Sequence, residues 1–278
     1  MPLNGMTMLL AHVGYPTSTF KAPMIYNPYF ESIGLNAAVV PMGLKADDFA
    51  IGLPLIFRLS NVRGAMITMP HKVEVVGMLD EASTAVKIAG SCNAVLRRDD
   101  GSLAGDIFDG EGFVRGLKRK GCSIKGVSAL VVGSGGVGSA IAASLASAGV
   151  ARLGLHDVRT QAMDGLGHRL SQHYPDLVIN TGSNDPADYD IIVNATPLGM
   201  SAADMMPVDV SRLMPSSFVG EVVMKQEMTS FLAAAKARGC AIQVGLDMLF
   251  EQIPAYLEFF GFPTTTPDNL RSLAQISY

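Results

Sequence analysis

The sequence predicts an α/β protein of two domains, and three observations predict it. Short apolar, β-prone runs alternate with helical stretches along most of the chain, the pattern of parallel βαβ units. Near the middle, "GSGGVG" closes an apolar run and opens an alanine-rich one, so a second unit is expected there. The 278 residues, 49% of them apolar, suffice for two buried cores.

The elements follow in order. "TMLLAHVG" (Thr7–Gly14) reads as a strand entering a turn with glycine and proline, and "NAAVVPMGL" (Asn36–Leu44) as a second strand. "AIGLPLIFRLS" (Ala50–Ser60) has the look of a helix despite its proline. "GAMITMP" is a third strand, with a helix expected from about Lys72 to Asp80. "NAVLRRDDGSLAGD" (Asn93–Asp106) reads as a hairpin turning at Asp-Asp-Gly. "DGEGFVRGLKRKG" (Asp109–Gly121) is a helix with acidic residues first and basic ones last, matching its dipole. The boundary falls there. The second unit continues through "ARLGLHDV" (Ala151–Val158), "YDIIVNATPLGM" (Tyr189–Met200) and "FVGEVVM" (Phe218–Met224). After Gly239 the helices in "MLFEQIPAYLEFFG" and "DNLRSLAQIS" have no sheet of their own and are expected to cover the first domain. The expected domains are therefore 1–107 plus 240–278, and 108–239.

Charge and cysteines exclude several classes. A net charge of −4 and pI near 5.7 argue against nucleic acid, which needs a basic surface. Cys92, Cys122 and Cys240 are odd in number and scattered, with neither disulfide-framework nor metal-ligand spacing. No basic leader and no membrane-length apolar run is visible, so the expectation is a cytoplasmic protein with no membrane partner and no metal.

Gly133, Ser134, Gly135, Gly136, Val137 and Gly138 fit G-x-G-x-x-G between strand and helix. The first glycine permits the tight turn, the second lets a pyrophosphate approach the backbone, and the third lets helix and strand pack closely. The helix N-terminus then faces the phosphates. The following strand ends in Asp157, whose carboxylate can accept from both ribose hydroxyls and repel a 2′-phosphate. NAD is thus the expected cofactor. Arg159, two residues on, can pair with that phosphate and keeps NADP in view.

A nicotinamide enzyme needs a group that moves the hydroxyl proton, and Lys72, Asp106, Asp109 and His71 are the candidates. At these residues the chain resembles the shikimate dehydrogenase family along nearly its whole length. Gly64, Thr68, Pro70 and Lys72 in "GAMITMPHK" meet the family's G-x-N-V-T-x-P-x-K. Asn93, then Gly105 and Asp109 in "GDIFDG", the loop "NATPLGM", and Gly245, Met248 and Gln252 in "GLDMLFEQ" carry the rest. The resemblance implies an N-terminal substrate-binding domain, completed by C-terminal helices, and a Rossmann domain. It implies Lys72 and Asp109 as the catalytic pair, with Thr68, Asn93, Gln252 and the segment of Phe20, Lys21 and Ala22 at the substrate. It also implies Thr196, Met224, Gly245 and Met248 near the cofactor, and a role in aromatic amino acid biosynthesis. A monomer and a homodimer are both compatible with it.

The departures concern the pocket. The family's carboxylate-binding segment reads G-x-P-x-x-H-S-x-S-P, whereas this chain has "GYPTSTFKAP", with Phe20 and Ala22 where two serines stand. Met66 replaces an asparagine, Ala94 a threonine, Ile107 and Phe108 an Asn-Thr pair, and Met224 a tyrosine. Ser18, Thr19 and Lys21 are the nearby replacement donors. His71 is expected at the surface or as a helix cap, His12 as a packed residue. Two readings remain: a dehydrogenase acting on shikimate, quinate or a related cyclic hydroxy-acid, and a non-catalytic or regulatory NAD-binding homologue.

Overall fold

The computed structural model describes residues 3–201 and 203–276. They fall into two compact units, one of Met1–Val86, Ser91–Phe108 and Ile253–Tyr278, the other of Lys87–Gly90 and Asp109–Gln252. In chain order, β1 (Met8–Gly14), α1 (Pro23–Ser32), β2 (Ala37–Gly43), α2 (Ala46–Phe57), β3 (Val62–Ile67) and β4 (Glu81–Ala82) come first. Next are α3 (Thr84–Ala89) and the antiparallel hairpin of β5 (Ala94–Arg97) and β6 (Leu103–Asp106). Then follow α4 (Asp109–Arg119), β7 (Ser128–Val132), α5 (Gly136–Ser147), β8 (Arg152–His156), α6 (Thr160–His173), β9 (Val178–Thr181) and β10 (Ile191–Asn194). The chain continues with β11 (Phe218–Glu221), α7 (Ser230–Ala237), β12 (Ala241–Gln243), α8 (Gly245–Phe260) and α9 (Pro267–Leu273).

The first unit holds a mixed sheet in the order β2-β1-β3-β5-β6-β4. Its parallel half, β2-β1-β3, carries the expected strands, and Leu10, Ala11 and Val13 of the central β1 are fully buried. The second unit's sheet is wholly parallel, β12-β11-β10-β7-β8-β9, which puts β7 at the switch point of a doubly wound Rossmann sheet. Both faces are covered, as parallel sheets require. Ala129, Val131, Ile191 and Val193 join one core cluster, while Leu130, Val132, Ile192 and Val219 join the other.

Four expectations are corrected. Residues 240–252 were grouped with the first domain, but Ala241–Gln243 pairs in parallel with Phe218–Gly220 and closes the second unit's sheet. A three-residue strand is too short for its alternation to be read. Residues 87–90 also belong to the second unit, because Ile88 sits in its core, whereas Phe108 stays with the first. The expected helix from Lys72 to Asp80 is only a 3-10 turn, Glu74–Met78. Its β-branched Val73, Val75 and Val76 and its Gly77 are poor α-formers, which leaves Lys72 in the turn itself. α2 begins earlier than expected, at Ala46, with Asp47 and Asp48 in its first turn.

α4 and α5 pack closely, and Gly110 permits it: a Cβ there would lie 2.0 Å from the Ala140 carbonyl oxygen. Gly110→Ala should therefore cost about 2 kcal/mol, from backbone overlap that no rotamer relieves. Thermal unfolding would show a lower Tm; an unchanged Tm would mean that the helices separate freely.

Candidate active site

The polar end of the first unit is assembled by backbone hydrogen bonds that run past the strand ends. Thr68 N donates to Val13 O (2.9 Å), Tyr15 N to Met69 O (3.0 Å) and Cys92 N to Lys72 O (2.7 Å). These fix the turn bearing Lys72 beside both the Phe20 segment and the strand that opens at Ala94. Lys72 is half-buried and has interactions of its own. Asn93 is 1% exposed; its Oδ1 accepts from Phe108 N (3.0 Å), while its Nδ2 has no partner among the described residues. A buried amide with two free donors is suited to a ligand oxygen. Thr68 is half-buried at the end of β3.

The carboxylate segment is rebuilt with apolar atoms. Phe20 lays its ring on His12, with centroids 4.0 Å apart and planes 27° from parallel. Ala22 is the N-cap of α1 and offers no side-chain hydrogen bond there. Lys21 is engaged by a partner, and the Thr19 hydroxyl donates to Pro16 O (3.3 Å). Phe108 packs edge-on against Tyr256 (4.8 Å) and Phe259 (5.5 Å). His12 packs as expected, and burial, with Lys72 as a second cause, lowers its pKa to about 4. His71 does not reach the surface. It is fully buried, stacked on Phe49 at 3.9 Å, with Nε2 2.8 Å from Leu44 O. The apolar Phe49 of the amphipathic α2 draws it inward.

In the second unit the glycine cradle is tight. Gly133 has φ +107°, and a Cβ on Gly138 would stand 1.9 Å from Gly133 O. At Gly135 the nearest atom to such a Cβ is an Arg159 nitrogen at 3.7 Å, so that glycine keeps open the side from which a diphosphate approaches. Ser134 Oγ is buried without a partner among the described residues, and Gly136 and Val137 begin α5. Asp157 Oδ2 accepts from Ser134 N (2.6 Å), and Oδ1 accepts from Arg159 N (2.8 Å) and Nε (3.3 Å). Burial pushes the Asp157 carboxyl up, but the bonds from Arg159 and Ser134 outweigh it and hold it below the usual range. The residues fit an adenine dinucleotide.

The other expected cofactor residues divide. Thr196 Oγ1 donates to Asn194 Oδ1 (2.6 Å) and accepts from Leu198 N (3.1 Å), so its hydroxyl shapes the loop. Gly245 allows a close approach, since a Cβ would meet Val223 O at 2.2 Å. Met224 is 36% exposed just after β11. Met248, on α8, is 3% exposed and lies in the same core cluster as Phe113. Asp109, the first residue of α4, is 5% exposed and has interactions of its own. Gln252 is 8% exposed with Oε1 unpaired among the described residues.

A family model for the shikimate dehydrogenase substrate binding domain matches residues 13–95. The shikimate dehydrogenase (NADP(+)) of Rubrobacter xylanophilus is 33% identical over 269 residues, 93% of this chain and 93% of that protein. The chain belongs to the shikimate dehydrogenase family. It is an NAD(P)-dependent oxidoreductase with a substrate-binding and a Rossmann domain. The fold of a Listeria monocytogenes shikimate 5-dehydrogenase, solved with shikimate and NAD, matches with TM-score 0.91 at 24% identity over 98% of both chains. A Gluconobacter 5-ketofructose reductase matches with TM-score 0.88 at 25% identity, over 97% of this chain and 98% of its own.

Sequence reasoning missed a buried acid of this family member's Rossmann unit. Glu221, at the end of β11, is fully buried; its Oε2 accepts from Thr229 Oγ1 (2.9 Å), and Oε1 has no partner among the described residues. Burial pushes its pKa up to about 7, with hydrogen bonds from Thr229 and Asn194 pulling the other way. An acidic residue closing an apolar strand was the available signal. Because the folded pKa lies above the unfolded one, the folded state holds a proton that the unfolded chain has lost between about pH 4.5 and 7. Stability should fall as pH rises through that window, by on the order of 1.4 kcal/mol per pH unit at most. Thermal scans of Glu221→Gln should show the slope flattened, and identical profiles for both proteins would refute the assignment.

Proposed function

We propose that the protein catalyses reversible hydride transfer between a nicotinamide and a ring hydroxyl or ketone. Shikimate with 3-dehydroshikimate, or a related cyclic hydroxy-acid such as quinate, is the substrate class. The buried, unpaired amide of Asn93 carries this reading, because it is a substrate-ready donor one residue from Cys92, whose N–H donates to the Lys72 carbonyl and ties down the turn that bears the lysine. When bound, the nicotinamide supplies the hydride acceptor or donor. Lys72 takes the proton of the reacting hydroxyl and returns it in reduction, and Asp109 orients the substrate and the lysine. Asn93, Thr68 and Gln252 bind the remaining hydroxyls. The Gly133–Gly138 cradle holds the diphosphate on the N-terminus of α5.

NAD is the preferred cofactor in this reading, with NADP used more weakly. The Asp157 carboxylate sits where it disfavours a 2′-phosphate, and it occupies Arg159, which is 66% exposed and otherwise suited to that phosphate. The same reading places the protein in the cytoplasm, where the free Cys92, Cys122 and Cys240 stay reduced. Among the described residues no helix is long and apolar enough to cross a membrane.

Lys72→Ala should lower kcat by about 10²–10⁴-fold with little change in the KM for NAD, measured by nicotinamide absorbance with shikimate and quinate. Full retention of turnover would end the proposed mechanism and leave Lys72 without a part in proton transfer. Asp157→Ser frees Arg159 and should shift the ratio of kcat/KM for NAD over NADP toward NADP by about tenfold or more. A wild type that already prefers NADP strongly would make Arg159 the deciding residue. Phe20→Ser with Ala22→Ser should tighten shikimate by roughly thirtyfold, since each of the two restored hydroxyl donors contributes about 1 kcal/mol. Weaker binding would mean that other groups already hold the carboxylate.

A further inference from the structure

One row of residues crosses the first sheet in register, Pro41, His12, Met66, Ala94 and Asp106, on strands β2, β1, β3, β5 and β6. Residues opposite one another on paired strands project to the same face. In the family pattern two members of this row are an asparagine and a threonine; here they are Met66 and Ala94, which offer no hydrogen bond. Beside them, one strand over, stands an imidazole. His12 lies against Phe20, and its Nδ1 is buried with no partner among the described residues. Two residues further along the same face is Gly14, where a Cβ would come within 2.4 Å of Thr68 Cγ2 and 3.1 Å of Phe20 Cζ. His12, Phe20 and Thr68 therefore converge on one spot, close enough to Lys72 for its ammonium to act on the imidazole.

We propose that His12 is a substrate-binding, specificity-determining residue whose Nδ1 hydrogen-bonds a ring hydroxyl adjacent to the carbon that reacts. Where the family pattern has polar side chains at the positions of Met66 and Ala94, this row carries its polar group on β1. The ligand is a ring bearing neighbouring oxygens, a vicinal diol in one direction and an α-hydroxy ketone in the other. A neutral imidazole suits it, since one nitrogen can accept from the hydroxyl of the diol or donate to its oxygen. Phe20 fixes the ring plane, so the nitrogen's direction is set before the ligand arrives. This inference rests on the hydride-transfer reading above.

The test uses His12→Val, His12→Asn and the double variant His12→Val with Met66→Asn, each assayed with shikimate, quinate and 5-ketofructose. Support is a rise of about tenfold or more in KM for the ring substrate in His12→Val, with kcat within about threefold and the KM for NAD unchanged. His12→Asn and the double variant should recover most of that loss, the double because it returns an amide to the neighbouring strand. A mere packing role predicts a lower Tm with no such split in KM and no rescue, and that outcome overturns the proposal. So does an unchanged KM in His12→Val while the wild type turns the substrate over, which leaves the hydride-transfer reading intact. A wild type that neither turns over nor binds any of the three, the binding read by calorimetry, removes both.

Discussion

The hydrogen-bond ladder between β1 and β3 is the constraint on which the first unit's chemistry depends. Past the last paired residues it continues into the loops, through Thr68 to Val13 and Tyr15 to Met69. Two loops that would otherwise wander are thereby held to a fixed offset, and each carries part of the site. A bond from Cys92 to Lys72 brings in the neighbouring strand. Side chains at such a site are directed by main-chain bonds of ordinary length, which cost no binding energy when a ligand arrives.

The second unit solves a different problem, the approach of a charged diphosphate to bare backbone. Its answer is subtraction. Atoms are missing at Gly133, Gly138 and Gly245 because neighbouring carbonyls already occupy the space a side chain would need. Asp157 then ties the loop to the next strand through Ser134. The carboxylate of Asp157 is thus a structural brace, so a change there acts on the order of the loop.

The glycine motif, the hairpin at Asp99–Gly101, and the strands of both sheets other than β4, β9 and β12 were legible because each has a local signal: special backbone angles, alternation, or a turn sequence. The turn after β3 was not, because the apolar spacing of Val73 and Val76 imitates a helix while their branching disfavours one. β12 is too short to announce itself, and its place depends on a partner strand. The buried state of His71 depends on Phe49 across the fold. Within the candidate site, Lys72 and Asn93 stand out through the family resemblance of the motifs that hold them. The orphaned nitrogen of His12 was not legible, since an unpaired atom exists only relative to everything that fails to reach it.

The order in which the chain enters the two units has a consequence for its synthesis. The second unit is an insertion, and the first is finished by residues that follow it. Tyr29 Oη donates to Pro263 O, Arg63 Nε to Phe260 O, and the Phe260 ring covers Gly64 so closely that a Cβ there would lie 2.6 Å from it. As the polypeptide leaves the ribosome, then, the earliest strands must wait, with the flank of β3 uncovered, until the residues that follow Gln252 emerge. The nucleotide-binding unit has its whole sequence by Gln252 and can fold vectorially. Its partner cannot, because the flank of β3 at Gly64 is covered by Phe260, which is synthesised after the whole of the second unit.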